Sequence, residues 1–359
     1  MPVTLEEIAK AAGFSVPTVS RALTNNNYPV SPATRQRIIE VAQEMGYKPN
    51  IAARSLRTDQ TSTIGIIVDD ILSPFTPPIV RGVQDYLKQF DYMSLIVNSD
   101  WDPAIEQDAI SALVSRPVDG IIFVEYSHLA INEVLEQSHR PYVFVHRLFG
   151  SDIRNSVVPD DYYGATLAVE HLISLGHRRI AYINGPESWH ISQRRLAGYK
   201  DALTSHELAI DPALIQPGDW EFEGGDVAAR NLLALDELPT AIFAANDLMA
   251  LGAICAIQDA ELNVPNDIAI VGYDNREFAR IVRPKISTVS MPVYEMGRTA
   301  AELLLKQIEK GRQEVDEIKV RGKLFVRETC GADESQRTSE TVDMATVSRR
   351  VLLRKDPDN

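Results

Sequence analysis

A chain of 359 residues has room for two or three domains, and its formal net charge is −14. So acidic a protein does not coat nucleic acid along its whole length, and two cysteines far apart in sequence, Cys255 and Cys330, supply neither a disulfide framework nor a metal-binding pair. No run approaches the ~18 apolar residues of a membrane span, and the N-terminus opens on a capped amphipathic segment without the apolar core of a signal peptide, so a cytoplasmic protein is expected.

The charge is uneven. Residues 1–59 hold seven Lys or Arg against five Asp or Glu, a balance of +2, which leaves −16 on the remainder. A small cationic head on an acidic body fits that distribution. The head begins at Thr4, which can cap a helix with Glu7 as the return half of a capping box. Leu5, Ile8, Ala9 and Ala12 give that helix one apolar face. Gly13-Phe14-Ser15 breaks it, and Ser15 can cap a second helix whose buried face is Val19, Ala22 and Leu23. Val16, Pro17, Thr18, Ser20 and Arg21 are left pointing elsewhere. Two short helices about a Gly-containing turn form a helix-turn-helix, whose second helix lies in the major groove. Ser31-Pro32 starts a third helix with the stripe Ile38, Ile39, Val41, Ala42 and Met45, ended by Gly46. Asn50 to Arg57 then offers a helix of about eight residues. Isolated helices shorter than ~12–15 residues are marginal in water, so this one is expected to order only when docked.

Four stretches carry a resemblance: Gly13-Phe14-Ser15-Val16-Pro17-Thr18-Val19-Ser20-Arg21-Ala22-Leu23, Val30-Ser31-Pro32-Ala33-Thr34-Arg35, Gly46-Tyr47-Lys48-Pro49-Asn50 and Ala53-Arg54-Ser55-Leu56. Together they closely resemble the head of the LacI/GalR family of bacterial transcription regulators, with Phe14 where Val is usual and Thr24 where Asn is usual. The resemblance implies a dimer on a near-palindromic double-stranded operator. Arg21 would contact a guanine, and Val16 and Pro17 would set preference by apolar contact. Thr4, Ser15, Thr18, Ser20 and Asn25 would sit on phosphates, with Tyr47, Asn50 and Ala53 as further DNA contacts. Leu56 matches the hinge residue that wedges between base pairs in the minor groove.

After a polar linker, residues 59–63, short apolar strands alternate with amphipathic helices. Strands are expected at 64–68, 94–97, 120–124, 142–145, 156–158, 180–183, 241–244 and 268–271, and helices at 77–90, 105–115, 163–175, 193–204, 224–235, 247–259 and 293–311. About ten strands are too many for one compact parallel sheet, so two α/β subdomains with a ligand crevice between them are expected. The body resembles the same family to Cys330, through Leu175-Gly176-His177-Arg178-Arg179, Arg195-Leu196-Ala197-Gly198-Tyr199, Asn246 to Gly252, and Val264 to Asp274. That implies a periplasmic-binding-protein-like fold with three crossings between lobes, near residues 160, 291 and 322. The expected domains are then a head over 1–49, a hinge and linker over 50–62, and a two-lobed body over 63–331. The first lobe takes 63–160 and 292–321, and the second takes 161–291 and 322–331. The Ser/Thr/Asp/Glu-rich tail, 332–359, has no sustained heptad and is expected to be disordered.

Carried onto the cleft, the resemblance points to Phe75, Asp100, Arg147, Asp160, Arg195, Trp220, Asn246 and Asp274 as effector contacts, with His146 standing where an Asp is usual before Arg147. Carboxylates, amides and Arg bond sugar hydroxyls, and aromatic faces stack on a sugar ring. Asp247 reads instead as a helix cap, and His171 and His177 as decoration of a helix end. There is no phosphate-cradling Gly loop, no Gly-x-Ser-x-Gly elbow and no His pair at metal spacing. The chain therefore reads as a sugar-responsive repressor that is not an enzyme, needs no metal or cofactor and associates with the nucleoid when DNA-bound. A purine- or other metabolite-responsive regulator, or a solute-binding protein, is the alternative.

Overall fold

The computed structural model describes residues 3–23, 30–47, 60–125, 133–146, 154–311 and 315–338. Asn25, Asn50, Ala53, Leu56 and Arg147 lie outside the described residues. The chain divides into two compact units, residues 1–62 and 63–359.

The first unit is a three-helix bundle: α1 (Leu5–Ala12), α2 (Val16–Leu23) and α3 (Pro32–Glu44). The capping box forms, with the Thr4 amide donating to Glu7 Oε2 at 2.8 Å and the Glu7 amide to Thr4 Oγ1 at 3.3 Å. Gly13, at φ 76°, closes α1 in the left-handed conformation that glycine adopts without a Cβ penalty. Ile8, Ala9, Val19, Ala22, Ile38, Val41 and Ala42 make its core. Arg35, for which the sequence suggested no role, donates Nη1 to the Ala22 carbonyl at 2.8 Å, a cation at the C-terminal end of α2.

The second unit holds two sheets of six strands each. The first is built from β1 (Thr63–Val68), β2 (Met93–Asn98), β3 (Gly120–Val124), β4 (Tyr142–Val145) and β5 (Ser156–Pro159). The second is built from β6 (Ile180–Asn184), β7 (Ile215–Pro217), β8 (Ala241–Ala244), β9 (Ala269–Asp274) and β10 (Ser287–Ser290). The chain then returns β11 (Ile318–Val320) to the first sheet and β12 (Leu324–Phe325) to the second. The orders are β11-β5-β4-β3-β1-β2 and β12-β10-β9-β8-β6-β7, so each lobe repeats the other's topology. Every pairing is parallel except β10 with β12. The chain passes from one sheet to the other after Pro159, after Ser290 and after Val320. Strands β7, β10, β11 and β12 were not read from the sequence. They are two to four residues long and, unlike the equally short but wholly apolar β4 and β8, are either cut by polar residues (Gln216, Ser287, Thr288, Lys319) or only two residues long, so no apolar string registers.

Helices α4 (Thr76–Leu87), α5 (Pro103–Ser115), α6 (Glu133–Gln137) and the long α11 (Val293–Lys310) cover the first sheet. Helices α7 (Asp161–Ser174), α8 (His190–Ser205), α9 (Phe222–Leu233) and α10 (Asp247–Asp259) cover the second. In each lobe neighbouring helices touch backbone to backbone at glycines. A Cβ on Gly82 of α4 would meet the Tyr294 carbonyl oxygen at 2.1 Å, and one on Gly252 of α10 would meet that of Phe222 at 2.1 Å. Among the described residues no helix is long and apolar enough to cross a membrane.

Ordered structure runs past residue 331, against the expectation of a disordered tail from there on. Ala332 is buried, Asp333 caps a 3-10 turn (Glu334–Gln336), and the Thr338 amide donates to the Val326 carbonyl at 2.9 Å. A single short capped turn held by tertiary contacts leaves no compositional signal. The residues beyond Thr338 lie outside the described set.

Candidate functional site

On the head, α2 presents Val16, Pro17 and Arg21 to solvent beside the exposed Ser15, with Thr18 and Ser20 partly covered. The Ser15 hydroxyl accepts from the Thr18 amide at 3.3 Å and lies 2.8 Å from the Thr18 hydroxyl, so capping fixes the start of α2. Thr4 is likewise exposed while it caps α1. Tyr47 is partly buried against the bundle core, and burial pushes its hydroxyl pKa up.

In the body, a cavity of about 460 Å³ lies between the lobes, within the 300–1,000 Å³ usual for small-molecule sites. It is lined from the carboxyl ends of strands in both sheets, as expected for parallel sheets. After β1 come Asp70, Ser73, Pro74 and Phe75; after β2, Trp101; after β3, Glu125; after β4, His146. The second lobe supplies Trp189 and Arg195 beyond β6, Asp219, Trp220 and Glu221 after β7, Asn246 after β8, and Asp274 and Arg276 at the end of β9. The backbone carries strain here. Trp101, Glu125, His146, Trp220 and Asp274 have φ of 59°, 58°, 56°, 75° and 105°. Such conformations cost energy in non-glycine residues and cluster where a ligand is clamped.

Arg195 is the hub of the second lobe. It is 2% exposed, donates Nε to Asp161 Oδ1 at 2.8 Å, bonds the Ala245 carbonyl and lies 3.9 Å from Asp274. Its guanidinium sits 3.6 Å from the centroid of Tyr273 and 5.6 Å from that of Trp220. Burial pushes the Asp274 carboxyl well above its ordinary range, a shift that Arg195 opposes and the neighbouring Asp247 reinforces. Asn246 caps α10 through Oδ1, which accepts from the Met249 amide at 2.8 Å, and its Nδ2 donates to the Trp220 carbonyl at 2.7 Å. The cap is therefore Asn246. Asp247, read from sequence as the capping residue, instead accepts from the Arg276 amide at 2.7 Å from within the first turn. The Trp220 ring lies where a Cβ on Gly185 would stand, 2.2 Å from the nearest ring carbon, so only glycine admits the ring at that place.

The first lobe is less bonded. Glu125 accepts from the buried Thr76 hydroxyl, and its carboxyl stays below its ordinary range because His146, Thr76 and Ser73 outweigh burial, the largest single influence. His146 Nδ1 is 3.6 Å from Glu125, beyond hydrogen-bond reach, and neither of its buried ring nitrogens has a hydrogen-bond partner. Its ring meets Phe75 edge-on at 5.6 Å between centroids.

Of the sequence candidates, Phe75, Arg195, Trp220, Asn246 and Asp274 converge on this cavity. Asp100 does not line it; it takes a hydrogen bond from Asn98, and its neighbour Trp101 lines the cavity instead. Asp160 also stands apart. It caps α7, accepting from the Tyr163 amide at 3.3 Å, and pairs with Arg321 at 3.5 Å beside a separate depression. An acidic residue after a strand served as a helix cap there, which type and position alone did not reveal. Asp70, Glu125, Trp189 and Arg276 were missed. Each follows a strand or opens a helix with no motif about it, and only the sheet order shows that these ends meet. His171 and His177 sit at the end of α7, bonded to Cys330 Sγ at 3.4 Å and Thr240 Oγ1 at 3.1 Å.

A helix-turn-helix head joined to a two-lobed binding-protein body defines a ligand-regulated DNA-binding protein. Residues 4–50 match the model of the lacI family of bacterial regulatory proteins, and residues 169–330 match a periplasmic binding protein-like domain. Catabolite control protein A of Priestia megaterium is 37% identical over 315 residues, covering 86% of this chain and 94% of that protein. Among solved structures, the transcriptional regulator CelR–cellobiose complex aligns at 31% identity and TM-score 0.65 over 91% of this chain and 99% of that one. The Lac repressor dimer bound to operator and the anti-inducer ONPF aligns at 28% identity and TM-score 0.70 over 92% and 100%. The chain belongs to the lacI family of bacterial regulatory proteins, and is a DNA-binding transcription regulator rather than an enzyme.

Proposed function

We propose that the protein is a homodimeric, cytoplasmic repressor of carbohydrate-utilisation genes whose grip on a near-palindromic operator is set by a neutral sugar in the inter-lobe cavity. One observation carries the ligand class. All three tryptophans of the chain line that cavity together with five carboxylates, Asp70, Glu125, Asp219, Glu221 and Asp274. Aromatic faces stack on the apolar face of a sugar ring, and carboxylates accept from its hydroxyls. Arg276 alone remains to offset that charge, since Arg195 is already bonded to Asp161 and the Ala245 carbonyl, and Asp70, Glu125, Asp219 and Glu221 leave the lining acidic even with Asp274 held partly protonated. A sugar phosphate or other anion would be repelled, whereas a neutral purine-type metabolite, which also stacks on tryptophan, stays the alternative effector. The Lac repressor dimer on its operator and the cellobiose-bound relative support the same assignment.

In this mechanism Arg21, Val16 and Pro17 read bases, and Thr4, Ser15, Thr18, Ser20 and Asn25 position the head on the DNA backbone, with Tyr47, Asn50 and Ala53 as further DNA contacts. Leu56 wedges the minor groove. Ligand binding moves the lobes and changes hinge spacing, for which a coupling of ~1–3 kcal/mol suffices. Trp220→Ala should weaken sugar binding by about 2 kcal/mol, roughly 30-fold, while leaving operator binding in place. Mobility shift on operator fragments, with and without neutral sugars, tests the whole reading. Absence of specific DNA binding ends it, and a normal sugar response in the variant removes the site.

A further inference from the structure

The two lobes also touch outside the ligand cavity. Arg194 follows His190 by one turn on α8 of the second lobe, next to Arg195 in sequence. Unlike Arg195 it lines the separate depression of about 540 Å³, together with His190 and Lys319. From there it reaches the first lobe. Its Nη1 donates to Glu317, 3.0 Å from Oε2 and 3.3 Å from Oε1. Glu317 immediately precedes β11, the edge strand of the first sheet. It stands three residues before Val320, where the chain crosses, so the pair sits about 10 Å down the flank of that lobe at ~3.3 Å per residue. Rotation of the lobes about the crossings therefore draws the pair apart. The two side chains are 20% and 7% exposed, so this is not one of the solvated surface pairs that are worth little.

Both partners keep a neighbour on separation. Lys319 Nζ, from the same lobe as Glu317, lies 3.5 Å from the same carboxylate oxygen. His190 Nε2 lies 3.4 Å from Arg194 Nη1 on their common helix. A buried carboxylate stripped of every cation would oppose opening strongly, whereas one that passes from two cations to one opposes it only modestly. We propose that Arg194 and Glu317 form an inter-lobe clasp, with Lys319 as the resident counter-ion that lets it release. They are positioning residues, which touch no ligand in the cavity and set how readily the lobes part. The clasp does not depend on which ligand the cavity takes.

The full-length protein, with no ligand added, is measured by small-angle X-ray scattering and by acrylamide quenching of tryptophan fluorescence. A Trp101→Phe background leaves Trp189 and Trp220, both in the cavity, as the emitters. Arg194→Gln and Glu317→Gln should each shift the ratio of open to closed lobes about fivefold toward open. The particle then scatters as a larger one and the tryptophans are quenched faster. The double variant should go no further than the stronger single variant, since either change already breaks the pair. Lys319→Gln should act in the opposite direction and slow quenching, because Glu317 then relies on Arg194 alone. Loss of stability in denaturant by all three variants, with scattering and quenching unchanged, overturns the clasp and leaves an ordinary framework contact. Additive effects of the two single changes overturn it as well, as does a Lys319→Gln variant that opens the lobes.

Discussion

At matching places in the two sheets the first lobe presents Glu125 and His146 to the cleft, and the second presents Asn246 and Asp274. The second-lobe groups are bonded to their own framework: Arg195 to Asp161, Asn246 to Met249 and Trp220, and Asp274 close to Arg195. In the first lobe neither ring nitrogen of His146 makes a hydrogen bond, Nδ1 standing 3.6 Å from Glu125, and Trp101 stands half in solvent. Repeating a topology thus did not repeat the chemistry. The second lobe is the more preorganised wall, in which most polar groups are fixed before a ligand arrives and Trp220 Nε1 is left without a hydrogen-bond partner. The first is the jaw whose groups still have bonds to make, so a ligand gains most there by drawing the lobes together.

Arg195→Ala should break that difference most severely. It leaves Asp161 and Asp274 buried without their cation, which costs ~3–5 kcal/mol. Denaturant unfolding of the body checks the loss, and a loss below about 1 kcal/mol would mean that Arg195 does not organise the wall. The next effect belongs to the first lobe and depends on pH. Burial, with a smaller contribution from Asp69, pushes the Glu106 carboxyl up to about 7 from 4.5. The folded protein therefore holds this proton more tightly than the unfolded chain. The resulting stabilisation is fully present below pH 4.5 and is lost as pH rises through about 7. Glu106→Gln should remove roughly 2–3 kcal/mol of that pH dependence, as read from stability curves between pH 5 and 8. An unchanged pH profile would show that Glu106 titrates normally.

Asn246→Ala deletes a helix cap and the tether on Trp220, and should cost ~1–2 kcal/mol in stability along with part of the ligand affinity. Loss of affinity without loss of stability would make Asn246 a ligand contact rather than a support. The smallest stability change is expected for His146→Phe. It replaces ring nitrogens that make no hydrogen bond but stand 3.6 Å from the buried Glu125 carboxyl, which His146 helps hold below its ordinary range, so stability should fall by less than about 1 kcal/mol while the response to ligand falls. A clear destabilisation would place His146 in the framework and erase the contrast between the lobes.

Much of this was legible along the chain. The head declared itself through Thr4 with Glu7, the break at Gly13 and the Ser31-Pro32 start, because caps and turns are chemistry between near neighbours. The apolar runs at 120–124, 142–145 and 241–244 match their strands residue for residue, since a buried parallel strand is an unbroken apolar string. Phe75, Arg195, Trp220, Asn246 and Asp274 were found from the order of residues about them. Asp100 and Asp160 have the same residue type and the same place after a strand, yet stay outside the cavity. Glu125, Trp189 and Arg276 lie in it without any local signal.

The sequence by itself determined the longer elements, the helix-turn-helix and the family, because local hydrogen bonding, hydrophobic period and motif order are written between residues close in the chain. Tertiary structure decided which strand ends meet and which carboxylates cap helices. It also decided that Trp101, Trp189 and Trp220, spread over 120 residues, share one cavity. Side chains far apart in sequence become neighbours only through sheet order and the three returns of the chain between the lobes, and the environments that follow set which groups are bonded and which are left for a ligand.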